Sequence, residues 1–387
     1  MKILMVLSRF PYPLEKGDKL RAYHQIRCLA EKHEVYLAAM HYYPVAESDI
    51  QQLKPFCKDI FLLDNTILRR CWNVGRAFLK GLPLQCGMFY SRRNARELDH
   101  IVRAVQPDHI YCQLFRMAEY VMDYQIPKTL DYQDVFSKGM ERRAEKSKAP
   151  ARWLFNMEAR RVARYEAEIF DRFDHKTIIT EVDRDLIPHP QNMEIEVVPN
   201  GVDFDTYAYH GEAKTHDLIF SGNMGYAPNV DAAEYLVREI MPPLWTEFPD
   251  MRIVLCGANP APRVRALQND RVLVTGWVDS MVPWYAQSKI FIAPMRMGTG
   301  LQNKVLEAMA MELPCVTSEL AAKPLRDAGQ QGALTVCQKT NDYIEIIRKL
   351  MRDETEYRQL AAAGNRFVHD RYDWKSAAEK LLQIISR

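Results

Sequence analysis

Residues 293–319 read APMRMGTGLQNKVLEAMAMELPCVTSE. The stretch leaves an apolar run, IFIAPM (290–295), and crosses two glycines, Gly298 and Gly300. It then enters a pattern expected to be helical from Leu301 to Met311 and ends in a second apolar run, PCVTS (314–318). Strand, glycine turn, helix and strand, with both strands apolar throughout, form the repeating unit of a parallel sheet covered on both faces. Three charges mark the turn: Arg296 before it, Lys304 early in the helix, and Glu307 three residues later on the same face. The early turns of a helix already favour an anion, and an arginine can clamp one with two parallel hydrogen bonds. The three residues would suit a diphosphate, with Glu307 as partner to a ribose diol. The alternative is a Lys304–Glu307 surface pair with Arg296 solvated. Val305, Leu306, Ala308 and Met309 are core in either case.

Working outward, the second half repeats this alternation. HDLIFSGN (216–223), MRIVLCG (251–257) and VLVTGWV (272–278) read as strands, with a helix expected from Asn229 to Phe248. The first half has its own set: KILMVLS (2–8), HEVYLAAM (33–40), DIFLLD (59–64), PDHIYCQ (107–113), KTLDYQD (128–134) and HKTIIT (175–180). EVVPNGVD, from 196, is expected to restart the cycle after a break. The expectation is an α/β chain of two doubly wound halves, 1–195 and 196–370, with a final amphipathic helix, 371–387, crossing back onto the first half. Ligands of such sheets bind at the carboxyl ends of strands, so the default site is the cleft between the halves.

Composition agrees with this picture. Of 387 residues, 48% are hydrophobic and 26% charged, which fits a globular chain with ample core. A formal net charge of +2 gives no global signal for nucleic acid. Eight scattered cysteines with no CxxC pair read as reduced structural thiols. MKILMVLSRFPYP is too soon broken by proline to be a signal peptide or a membrane span, so it reads as a first strand in a cytoplasmic protein.

Other strand-following loops carry candidates. In FSGNMGYAPNVDA, Gly222, Asn223, Met224 and Gly225 could bring backbone N–H groups to a phosphate, or form a simple turn with Asn229 capping the next helix. Neither G-x-G-x-x-G nor G-x-x-x-x-G-K-[ST] occurs. In TGWV, Gly276 and the amides around Val278 could read a base edge, or merely end a strand over a buried Trp277. In the first half, Gly17 gives a flexible tip beside Asp18, which suits a helix cap. Asp131 and Asp134 could bind an acceptor hydroxyl or take its proton, or cap the following helix.

The segment G-x-G-x-x-N-K-V-L-E-A-M-A-M, preceded by AP-x-R and followed by PCVTS, resembles the family-4 glycosyltransferases of GT-B fold, with two Rossmann-like domains. Sugar transferases of bacterial exopolysaccharide systems are the nearest subgroup. VVPNGVD (197–203), FSGNMGYAPNVDA (220–232), TGWV (275–278) and RYDWKSAAEKL (371–381) fall in that family's order. The resemblance implies a retaining transferase using a nucleotide-diphosphate sugar and no bound metal. By position Arg296 and Lys304 would hold the diphosphate, Glu307 the ribose, and Gly276 and Val278 the base, with Gly222 to Met224, Thr299, Gly300 and Leu301 lining the donor. Two departures stand out. Many relatives carry two glutamates with seven residues between them, whereas the first position here is Thr299. A histidine that relatives often place after the strand at 107–113 is Gln113. A nucleotide-sugar epimerase of the same fold and a non-catalytic sugar-nucleotide-binding partner subunit are the competing readings.

Residues 69–96 carry Arg69, Arg70, Arg76, Lys80, Arg92, Arg93 and Arg96 and no acid, interleaved with Trp72, Phe78, Leu79 and Met88. A second basic and aromatic run, 146–164, includes Trp153 and Phe155. Such runs suit an anionic membrane surface or a glycan or lipid-linked acceptor, or else an ordinary helical layer with a charged outer face. No nucleic-acid-binding motif accompanies them.

Overall fold

The structure, a computed structural model, describes residues 1–14, 16–65, 67–145, 147–298 and 300–387, and of residues 67–71 only the backbone. The chain divides into two compact units, Met1–Pro199 with Trp374–Arg387, and Asn200–Asp373.

The first unit holds seven parallel strands: β1 (Lys2–Leu7), β2 (Glu34–His41), β3 (Asp59–Asp64), β4 (His109–Gln113), β5 (Lys128–Asp131), β6 (His175–Ile178) and β7 (Glu196–Val197). Their order is β3-β2-β1-β4-β5-β6-β7. Helices cover both faces, so a central strand has no polar side to show. Ile3, Met5 and Leu7 enter one core, and the alternate Leu4 and Val6 enter the other. The helix Trp374–Ile385 closes the first of these cores with Ala377, Leu381, Ile384 and Ile385.

The second unit repeats the plan with β8 (His216–Ser221), β9 (Ile253–Cys256), β10 (Val272–Gly276), β11 (Ser288–Ala293), β12 (Cys315–Ser318) and β13 (Thr335–Cys337), in the order β10-β9-β8-β11-β12-β13. Each sheet therefore reverses its strand order once, between β1 and β4 and between β8 and β11. Loops on the two sides of such a reversal diverge and leave a crevice at the carboxyl ends.

Three expectations change. EVV does not open the second sheet; β7 pairs with β6 and extends the first. The helix expected over 229–248 is three segments, Ala227–Tyr235, a π-helical turn Leu236–Ile240, and Met241–Glu247. Pro242 and Pro243 donate no N–H, and the ladder is rebuilt around them at the start of the last segment. β13 is a strand the sequence reading lacks. All seven cysteines with described side chains are free thiols, and no described helix is long and apolar enough to cross a membrane.

Candidate functional site

The strand-order reversal of the second sheet sets β8 beside β11, and the loops that leave them meet around Lys304. After β11, Ser318 Oγ fixes the departing chain by donating to Met295 O at 2.6 Å. Gly298 (φ 131°) and Gly300 (φ 70°) then take left-handed backbone before the helix Asn303–Ala310 begins. Asn200 Nδ2 donates to Asn303 Oδ1 at 3.1 Å and secures the helix start. Thr299 lies outside the described residues.

Lys304 Nζ donates to Asn229 Oδ1 at 2.8 Å, approaches Met295 Sδ at 3.8 Å, and lies 4.5 Å from the centre of the Phe220 ring. Burial lowers its ammonium to about 7, with nearby Glu307 opposing the shift. Glu307 accepts from Tyr285 Oη at 3.1 Å, and Tyr285 Oη is 2.8 Å from Ser221 Oγ. Burial raises the Glu307 carboxyl to about 7, against the Tyr285 hydrogen bond and Lys304. Lysine and glutamate thus feel each other, yet each is anchored separately, to Asn229 and to Tyr285. This is not a solvated surface pair.

The loop after β8 packs against these groups. Gly222 has φ 145°, and a methyl there would sit 2.8 Å from Asn229 Nδ2 and 3.3 Å from Lys304 Nζ. Asn229 stands inside the first turn of its helix instead of capping it, and its Nδ2 donates back to Asn223 O at 2.9 Å. The Gly222 and Met224 N–H groups are already bonded to Cys256 O and Ala258 O. Met224 is fully buried in the core, so it has neither side chain nor amide for a ligand. Asn223 N–H is the amide of this trio left to face one.

Further along the rim, Gly276 (φ 72°) ends β10, Trp277 is 59% exposed instead of buried, and Val278 packs against the core edge. Gly300 O accepts from Gln302 Nε2 at 3.3 Å, and Leu301 packs against the same core.

Arg296 stands elsewhere. Its guanidinium makes a two-point pair with Asp231 (2.9 and 3.1 Å), reaches Glu239 at 3.5 Å, and lies 4.3 Å from the centre of the Tyr235 ring. Asn229 and Asp231 are two residues apart on one helix, roughly 200° around its axis. Lys304 and Arg296 therefore approach that helix from opposite sides, and the expected joint clamp is not formed.

The first-unit candidates also shift. Asp131 is fully buried and forms a two-point pair with Arg21, at 2.7 and 3.0 Å, and accepts from Thr177 Oγ1 at 3.0 Å. Arg21 Nη1 donates on to Val198 O at 2.9 Å. A carboxylate so enclosed ties strands together and cannot meet an acceptor. Asp134 Oδ1 accepts from the adjacent Val135 N at 2.7 Å, whereas the first amides of the helix Phe136–Glu145 donate to Glu166 Oε1, Phe136 N at 2.9 Å, so Glu166 and not Asp134 caps them. Gly17 opens the helix Gly17–Ala30, but Asp18 pairs with Arg9 at 2.7 Å instead of capping it. Gln113 Nε2 donates to Asp18 O at 3.0 Å.

Tyr285 and Ser221 are positioning residues that sequence reading missed, and Asn229, read there only as a helix cap, holds Lys304 instead. A neutral amide, phenol or hydroxyl carries no signal until its charged partner is folded against it.

Residues 215–353 match the sequence model of the family described as glycosyl transferases group 1, and that span contains β8 to β13 and Lys304 with Glu307. The match covers most of the second unit. A Klebsiella pneumoniae protein, described as an uncharacterized 44.6 kDa protein in the cps region, is 21% identical over 99% of both chains. Among solved structures, sucrose-phosphate synthase from Thermosynechococcus elongatus superposes with a TM-score of 0.72 at 13% identity, over 100% of this chain and 98% of that one. A complex of Anabaena Alr3699/HepE with UDP-glucose gives 0.70 at 14% identity, over 100% and 99%. WaaG, a glycosyltransferase involved in lipopolysaccharide biosynthesis, gives 0.67 at 14% identity, over 99% of both chains. The two units thus share the GT-B fold of these structures.

Proposed function

We propose that this chain is a retaining glycosyltransferase that moves a sugar from a nucleotide-diphosphate donor to a glycan or lipid-linked acceptor in surface-polysaccharide synthesis. The observation that carries the reading is Lys304, a half-buried ammonium at the strand-order reversal whose hydrogen-bond partners are one amide oxygen and a thioether, with the Phe220 ring beside it. A diphosphate supplies the charge such a group lacks. From the rim of β10 to that of β11 is three strand spacings, roughly 14 Å, about the reach of a nucleoside diphosphate. In this reading Val278 sits by the base, Glu307 by the ribose, and Asn223 N–H and Lys304 by the phosphates. Gly300 and Leu301 line the sugar side with Thr299. Stabilisation of the leaving diphosphate by Lys304 is the largest lever this site has, and it needs no metal. Arg296 would join only after leaving Asp231.

The Anabaena relative binds UDP-glucose, and the Klebsiella relative is described by its cps region, which supports a nucleotide-sugar donor and a polysaccharide product. The acceptor side is supported by exposed apolar groups on two adjoining helices of the first unit. Trp72 (80% exposed) and Leu79 (87%) lie seven residues apart on one face of Ile67–Leu79, beside Lys80. Trp153 (63%) and Leu154 protrude from Ala151–Glu168, whose Arg161 stacks over Phe78. Such a patch fits an anionic membrane surface.

The test is incubation of the full chain with a panel of nucleotide sugars, following thermal stabilisation and slow donor hydrolysis. Stabilisation with turnover is expected. Stabilisation without turnover, even with acceptor extracts, would mark a binding subunit, and no stabilisation by any nucleotide sugar would defeat the reading.

A further inference from the structure

Three buried polar atoms without a hydrogen-bond partner among the described residues follow three neighbouring strands of the first sheet: Ser8 Oγ, Arg116 Nε and Gln133 Nε2. The registers Val6–Cys112 and Gln113–Asp131 bring the segments beyond β1, β4 and β5 side by side at the carboxyl rim. This is the strand-order reversal of the first unit. Two of the segments leave their strands through left-handed backbone at non-glycine residues, Leu114 (φ 69°) and Gln133 (φ 63°), a strain that tends to be kept at ligand sites.

Arg116 is 7% exposed, and its guanidinium lies 4.8 Å and 5.1 Å from the centres of the Phe89 and Phe136 rings. Rings on its faces leave the edge of the donor fork as the part able to bind. No carboxylate pairs with it among the described residues. The contrast within the same unit is Arg21, fully buried and gripped by Asp131. Burial pushes the Arg116 guanidinium down to about 10, and Arg9 adds to the shift while Asp18 opposes it. A hydroxyl, a guanidinium N–H and an amide NH2 can all donate, so their common complement is rich in acceptors. Arg9 and Asp18 pair at 2.7 Å and cancel. One positive charge remains, which a monoanion neutralises and a dianion would overrun.

We infer that the loops after β1, β4 and β5 form a subsite for a monoanionic oxyanion of the acceptor, a sugar carboxylate or a phosphodiester, with Arg116 as its two-point donor. The inference rests on the reading of the chain as a glycosyltransferase, and it makes the acceptor an acidic one.

The test follows the Arg116 Nε–H signal of the isotope-labelled full chain, identified by its loss in R116K. Methyl glucuronide, dimethyl phosphate and neutral methyl glucoside are the probes. One or both anions are expected to shift the signal saturably, and the glucoside to leave it unmoved. A carboxylate response alone identifies an acidic sugar, and a dimethyl phosphate response alone a phosphodiester-linked acceptor. Affinities of the variants, which lack that signal, are read by titration calorimetry, and R116Q is expected to bind the responding anion at least about tenfold more weakly. R116K, with the charge but not the fork, is expected to fall between. Absence of a response to both anions, or unchanged affinity in R116K, overturns the subsite, and R116K serves alone if R116Q does not fold. Nucleotide-sugar stabilisation is measured in the same samples. Its loss beside an intact Arg116 response would count against the donor reading, not against this subsite.

Discussion

Lys304 makes the donor site testable through its proton. Burial holds its ammonium at about 7 in the ligand-free chain, well below the ordinary 10.5. A diphosphate against Nζ favours the charged form, so binding above pH 7 must take up a proton. If only the ammonium form binds, affinity falls by the factor 1 + 10^(pH − pKa). That factor is about 2 at pH 7, about 11 at pH 8 and about 100 at pH 9. Glu307, raised to about 7, ionises over the lower part of the same window. By pH 8 it is mostly ionised, so the further loss of about tenfold between pH 8 and pH 9 belongs to Lys304. Folding stability runs the other way. The folded chain binds fewer protons at this lysine than the unfolded chain between about 7 and 10.5, so in the absence of ligand stability rises with pH across that window.

The assay is titration calorimetry with a nucleotide sugar, whose doubly esterified diphosphate does not itself titrate here. Two buffers of different ionisation heat reveal the proton taken up. K304M is expected to bind weakly, with no pH slope between 8 and 9 and no buffer dependence. A flat wild-type affinity over that range, or the same slope in K304M, would refute the assignment of Lys304 to the diphosphate.

Two further outcomes follow from the first unit. D131N leaves Arg21 buried without its partner, at a cost of about 3–5 kcal/mol, or a melting-temperature loss of about 6–20 °C for a unit near two hundred residues. Donor hydrolysis per folded molecule should persist, whereas a stable but inactive D131N would restore Asp131 to catalysis. Replacing Trp72 and Leu79 together by alanine should leave stability unchanged and lower sedimentation with vesicles rich in anionic lipid. Equal binding by the variant would remove this face as the membrane contact.

The strands were legible because a parallel strand buried on both faces is apolar at consecutive positions, as in β1 and β9. β7 failed that test because two residues carry no pattern, and its place depends on β6 lying beside it. Lys304 and Glu307 were legible for a local reason, standing three positions apart on one helix face after a glycine turn. What holds each of them was not. Asn229 is 75 residues from Lys304, and Tyr285 is 22 from Glu307.

The same distance explains the misplaced charges. A cation or carboxylate at a strand end looks available in sequence, and whether it is available depends on a partner brought in by the fold. Asp231, 65 residues away, occupies Arg296, and Arg21, 110 residues away, occupies Asp131. Both looked like ligands for substrate and are engaged by protein. Arg116 is the reverse case. Its setting, CQLFRMAEY, has no glycine turn, no flanking charge within two residues and no motif, so nothing in sequence separates it from a surface arginine. Only the fold shows two phenyl rings on its faces and, among the described residues, no acid paired with it. A charge that costs several kcal/mol to bury unpaired is retained in a fold when something else pairs it, and among the described residues of this unit the protein supplies that partner to Arg21 and not to Arg116.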